Sequence, residues 1–144
     1  ALPICHVIGS RLAARGRGGL IFMSSFAGGL GSPLIATYAA TKAFNLVLGE
    51  SLWEELQRRG VDVVVCRAGA TRTPNYERSQ PKGGDFLLTD PPPVVRAALN
   101  SLGRRPSFVP GLLNTMSAFF MGRLLPRRLA IRIMSQATRN MYGR

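Results

Sequence analysis

Leu20-Ile21-Phe22-Met23 and Val61-Asp62-Val63-Val64-Val65-Cys66 are the stretches that decide the fold. Both are short apolar runs set between longer segments of helical periodicity, the mark of strands buried in a parallel sheet. Outward from them, residues 2–15 read as a helix that Gly16 closes, and Gly18-Gly19 turns the chain into the first strand. Residues 24–32 form a Gly/Ser loop, and a long helix is predicted from about Pro33 to Arg59, with Gly60 capping it. A loop over 67–89 follows the second strand, then a helix from Pro91 to Gly103 with Asp90 as its N-cap. Ser107-Phe108-Val109 is the third strand. Helices and strands alternating in this order predict an α/β fold, a doubly wound parallel sheet with helices on both faces. The first helix has no strand before it, so the sheet is expected to lack an N-terminal βαβ half. A small domain that starts with a helix is the alternative.

Length and composition narrow the function classes. The 144 residues suffice for one domain, and 46% apolar residues can build its core. Two cysteines, Cys5 and Cys66, make no disulfide framework, and with the single His6 they supply no metal cluster. Ala1–Cys5 lacks the pattern of a secretory signal, so a reducing, cytoplasmic setting is expected. The longest charge-free stretch, residues 106–122, is too short and too polar to span a membrane. The net charge of +12 is lopsided. All seven acidic residues lie before position 91, whereas residues 91–144 carry nine arginines and no acid.

The chemistry sits in Ser24-Ser25-Phe26-Ala27-Gly28 and Tyr38-Ala39-Ala40-Thr41-Lys42. Tyr38 and Lys42 are four apart and share one helix face, with Cβ atoms roughly 5–6 Å apart. Ser25 ends the first strand, where ligands bind in open parallel sheets. A carbonyl that accepts hydride needs a proton, which a tyrosine hydroxyl can deliver. Free tyrosine has a pKa of about 10, and a neighbouring ammonium makes the phenol more acidic. A serine hydroxyl aimed at the same oxygen holds and polarises the carbonyl. Either part alone is commonplace; the buried strand ending in Ser-Ser, the Gly-rich loop and the spacing to Tyr38 together are specific.

On these residues the sequence resembles the short-chain dehydrogenase/reductase family over about residues 1–111, in particular its hydroxysteroid dehydrogenase and 3-ketoacyl reductase-like members. The resemblance implies a Rossmann-like fold and an NAD(P)-dependent oxidoreductase interconverting a carbonyl and a secondary alcohol, NADP slightly ahead of NAD. It implies Tyr38 as acid/base, Ser25 as the group orienting the carbonyl, and Lys42 as the residue that lowers the tyrosine pKa and holds the nicotinamide ribose. Ala68-Gly69-Ala70-Thr71-Arg72-Thr73 matches the segment after the family's next strand, with Ala68 in place of the usual proline. Gly69, Thr71 and Thr73 thereby join Tyr38 and Lys42 as implied cofactor contacts. Neither Gly16-Arg17-Gly18-Gly19 nor Gly28-Gly29-Leu30-Gly31 has the three-glycine spacing of a pyrophosphate cradle, so the chain is expected to be a C-terminal portion, inactive alone.

The remaining segments suggest partners. Residues 112–144 read as two amphipathic helices broken at Pro126, a basic tail distinct from the unit formed by 1–111. Arg123, Arg127, Arg128, Arg132 and Arg139 interleave with aliphatic residues, which suits peripheral contact with an anionic membrane and equally a solvated face. Without aromatics among these arginines, nucleic acid is not an expected partner. An apolar small-molecule substrate follows from the resemblance, as does a homodimer through helix 33–59. Residues 75–89 are a candidate substrate lid, Trp53 a core or interface residue, and His6 a packed one. The rival reading is a non-catalytic fragment or scaffold that binds a membrane or partner through the tail.

Overall fold

The computed structural model describes residues 2–78 and 88–142. Helix α1 (Leu2–Arg15) leads into strand β1 (Gly18–Ser25), a 3-10 turn (Phe26–Gly29) and helix α2 (Ala36–Gln57). Strand β2 (Val61–Ala68), the short helix α3 (Pro74–Arg78), helix α4 (Pro91–Ser101) and strand β3 (Ser107–Phe108) follow. Helix α5 (Leu112–Phe119), a π-helical turn (Phe120–Leu124) and helix α6 (Arg127–Tyr142) end the described chain.

The three strands form one parallel sheet in the order β1-β2-β3. Strand β2 is its centre, and Val61, Val63, Val64, Val65 and Cys66 are fully buried. Alternation sorts its side chains onto two faces. Val61 and Val63 meet Leu56, Leu52 and Trp53 of α2 and Leu12 of α1, while Cys66 meets Val94 and Ala98 of α4. Helices thus cover β2 on both faces, as expected of a doubly wound sheet. Strand β1 differs: Leu20 and Phe22 join the α1/α2 core, but Ile21 and Met23 on its other face are exposed. Helix α2 lies close on the sheet because Gly49 has no side chain; a Cβ there would collide with Val65 and Phe22.

Several boundaries depart from the sequence reading. The long helix begins at Ala36 rather than Pro33, because Leu34 takes a left-handed φ of 68° that no helix continues through. The 67–89 segment is not featureless: it holds α3 and an isolated bridge between Thr71 and Thr89. Asp90 occupies the N-cap position of α4 but makes no capping hydrogen bond; Arg72 Nε donates to its carboxylate at 3.1 Å instead. His6 is exposed on α1 rather than packed. The candidate lid lies in part outside the described residues.

Candidate active site

The last three residues of β1 anchor the site. Lys42 Nζ donates to the Met23 carbonyl at 3.0 Å, and Asn45 Nδ2, three residues along the same helix, reaches that oxygen at 3.4 Å. In the opposite sense, Ser24 Oγ donates to the Lys42 carbonyl at 2.7 Å. These bonds clasp the N-terminal half of α2 to the tip of the strand. Gly28 lets the clasp close: a Cβ there would stand 2.8 Å from the Lys42 carbonyl carbon and 2.9 Å from the Ala43 nitrogen. The turn after Ser25 therefore rests directly on the helix backbone at Lys42.

Ser25 caps that turn, its Oγ accepting from the Ala27 N–H at 3.3 Å. A lone pair of the hydroxyl is thereby occupied, and its own O–H remains free to donate to a ligand. Tyr38, in the first turn of α2, is 48% exposed and so within reach of solvent or a ligand. The Lys42 ammonium lies 5.6 Å from the centre of the Tyr38 ring. Among the described residues one of its three N–H groups is bound to protein.

The implied cofactor contacts gather at the same edge. Ser25 pairs in register with Ala68, the residue before Gly69. Thr71 Oγ1 donates to the Gly69 carbonyl at 3.2 Å, and Thr73 Oγ1 accepts from the Tyr76 N–H at 3.2 Å at the start of α3. All five candidates for cofactor contact thus follow or flank the carboxyl ends of β1 and β2. An ammonium with unspent donors, beside hydroxyls at strand ends, fits the hydroxyl-rich and amide-bearing nicotinamide riboside half of a dinucleotide. Gly28 is committed to its contact with α2 and offers no phosphate cradle.

Four supporting residues escaped the sequence reading as supports. Ser24 and Asn45 belong to the clasp, and Asn45 sits at helical spacing from Lys42, a signal that was there to be read. The buried Asn114 lies against Gly69 and donates through Nδ2 to the Pro110 carbonyl at 3.3 Å. Arg67 extends from β2 to Gly29, under the turn that Ser25 caps. Burial lowers its pKa, opposed by the Glu50 carboxylate on α2. Glu50 in turn accepts from Ser107 Oγ at 2.6 Å, and Arg67 Nε is a buried donor without a hydrogen-bond partner among the described residues. Arg127 at the head of α6 reaches the Gly29 carbonyl at 3.4 Å from the other side.

Known proteins resemble this chain in sequence and in fold. The chain is 31% identical over 111 residues to a 7beta-hydroxysteroid dehydrogenase of Clostridium sardiniense, covering 76% of this chain and 42% of that protein. Over 104 residues it is 36% identical to a very-long-chain 3-oxoacyl-CoA reductase of Podospora anserina, covering 71% and 29%. A solved structure described as giving insights into 7beta-hydroxysteroid dehydrogenase stereoselectivity superposes with a TM-score of 0.84 at 32% identity, over 92% of this chain and 53% of that one. The chain thus spans less than half the length of these two curated relatives. The short chain dehydrogenase family profile matches residues 3–83, more than half the chain. With its parallel sheet and its Ser25, Tyr38 and Lys42 at one strand tip, the chain belongs to the short-chain dehydrogenase/reductase family.

Proposed function

We propose that this chain supplies the catalytic half of a nicotinamide-dependent oxidoreductase that interconverts an apolar carbonyl and a secondary alcohol. The observation that carries the reading is the clasp between Met23-Ser24 and Lys42, which holds the Tyr38 helix against the strand that ends in Ser25. Tyr38 delivers the proton to the carbonyl oxygen, or takes it back in the oxidative direction. The free O–H of Ser25 donates to the same oxygen and fixes the carbonyl for attack. Lys42, held by Met23, would turn its remaining donors to ribose hydroxyls. Gly69, Thr71 and Thr73 would hold the carboxamide end of the nicotinamide. A nicotinamide dinucleotide bound there supplies or accepts the hydride.

The relatives named for hydroxysteroids and for 3-oxoacyl-CoA support an apolar, steroid-like or long-acyl substrate. Solved relatives described with NAD and with NADPH support either cofactor, and we favour NADP. Phe44 and Val47, exposed on the side of α2 away from the sheet, suit a homodimer. Family membership favours this reading over a non-catalytic scaffold.

The test is kinetic, on the full-length protein, with a panel of oxosteroids and 3-oxoacyl-CoA substrates. Tyr38→Phe is expected to abolish reduction while cofactor affinity, read by fluorescence titration, stays within about twofold, since the phenol acts on the reacting oxygen. Ser25→Ala is expected to lower kcat by about 100-fold or more, as for loss of a donor to a developing oxyanion. Turnover retained by the Tyr38→Phe variant removes Tyr38 from its role.

A further inference from the structure

We propose that α5, the π-helical turn after it and the arginines that follow form a docking surface for an anionic lipid bilayer. The apolar residues of the C-terminal segment divide into two sets. Ala130 and Met134 of α6 are buried against Leu30, with Phe26, Met121 and Leu125 around them. The other set faces outward: Leu112 is 76% exposed, Leu113, Met116, Phe119, Phe120 and Leu124 are each more than half exposed, and Leu129 and Ile133 of α6 are exposed as well. Leu112, Met116 and Phe119 recur at helical spacing, as do Leu113, Phe120 and Leu124, so two adjoining apolar rows run along the segment. Unpartnered apolar surface of this kind marks an interaction site rather than ordinary surface.

Charge selects the occupant. Exposed Arg123 continues the first row, exposed Arg128 and Arg132 follow it along the chain on α6, and residues 91–144 contain no acid to offset them. A second copy of the chain would set arginine against arginine, so self-association through this face is unfavourable. An anionic bilayer satisfies both halves at once: the apolar side chains enter the acyl boundary, and the guanidinium groups stay at the headgroups. No helix among the described residues is long and apolar enough to cross a membrane, so the contact proposed is peripheral.

The experiment floats the full-length protein with vesicles of phosphatidylcholine, alone or mixed with phosphatidylserine. Flotation is expected with the mixed vesicles, weakening as salt rises. Arg123→Gln and Arg128→Gln should each lower partitioning about fivefold, the worth of one arginine near an anionic surface. Phe119→Ser combined with Phe120→Ser should remove most of it. All four side chains are exposed, so the variants should keep their circular dichroism. As a check that does not depend on lost binding, the Phe119→Trp variant should be quenched by brominated lipid. Absence of flotation with mixed vesicles overturns the proposal. So does flotation indifferent to phosphatidylserine or to Phe119 and Phe120, or indole fluorescence that brominated lipid leaves unchanged.

Discussion

At the scale of single residues, burial has opposite consequences for two neighbours on β2. Cys66 is fully buried, and loss of solvent pushes its thiol from 9.0 up to about 11. Below pH 9 the thiol is protonated whether the protein is folded or unfolded, and it contributes no pH dependence. Between pH 9 and 11 the unfolded chain ionises it and the folded protein does not, so stability falls across that window and levels off above it. The fall attributable to Cys66 should be about 2–3 kcal/mol, at about 1.36 kcal/mol per unit. Urea titrations of the parent and of Cys66→Ala across this range isolate it; parallel curves would remove the thiol as its source. Arg67 is the reverse case, a cation that burial penalises and Glu50 supports. Glu50→Gln should therefore destabilise the protein by about 1–3 kcal/mol by leaving a desolvated guanidinium unbalanced. Adding Arg67→Met should recover part of that loss, which a double-mutant cycle reads directly.

At the scale of elements, the site depends on how closely the turn after Ser25 approaches α2. Gly28→Ala places a methyl group against the backbone at Lys42 and Ala43, which has no flexible end to move aside. The expected cost is about 1–3 kcal/mol of stability, as for overpacking elsewhere. Gly31→Ala is the matched control: its Cβ would lie 3.6 Å from Ile131, an ordinary contact, and the change should stay within about 0.5 kcal/mol. Equal losses in urea denaturation would mean that the turn, not its seat on α2, sets the geometry. The elements themselves were largely legible. Apolar runs gave β1 and β2, glycines gave the ends of α1 and α2, and the spacing of Ser25, Tyr38 and Lys42 gave the candidate site. What sequence did not disclose lies in backbone conformation and in contacts remote along the chain. Leu34 in the left-handed region, Arg72 drawing Asp90 away from its cap, and Asn114 buried over Gly69 follow no local rule. The last two are fixed by partners that no local residue window contains.

At the scale of the whole molecule, the described residues hold three separate apolar clusters rather than one. Two lie on opposite faces of β2; the third joins α6 to Phe26 and Leu30, beside the turn that Ser25 caps. The C-terminal segment therefore has two roles in this reading, an inner face that braces the Ser25 turn and an outer face open to a partner. Met134→Ala separates the two. It deletes the largest buried side chain that α6 places in its cluster, at an expected cost of about 2 kcal/mol. Because the cluster shares no residue with those around Val63 and Cys66, the loss should be local. Amide exchange should quicken in 127–142 and in 26–30, where Arg127 also holds the Gly29 carbonyl, while β2 keeps its protection. In the full-length enzyme the same variant should lower kcat more than it raises KM, since in the proposed mechanism the turn carries Ser25, which orients the carbonyl rather than enclosing the substrate. Exchange that quickens uniformly through β2 would instead show the C-terminal helices and the sheet opening as one cooperative unit, and the bracing role of α6 would lose its basis.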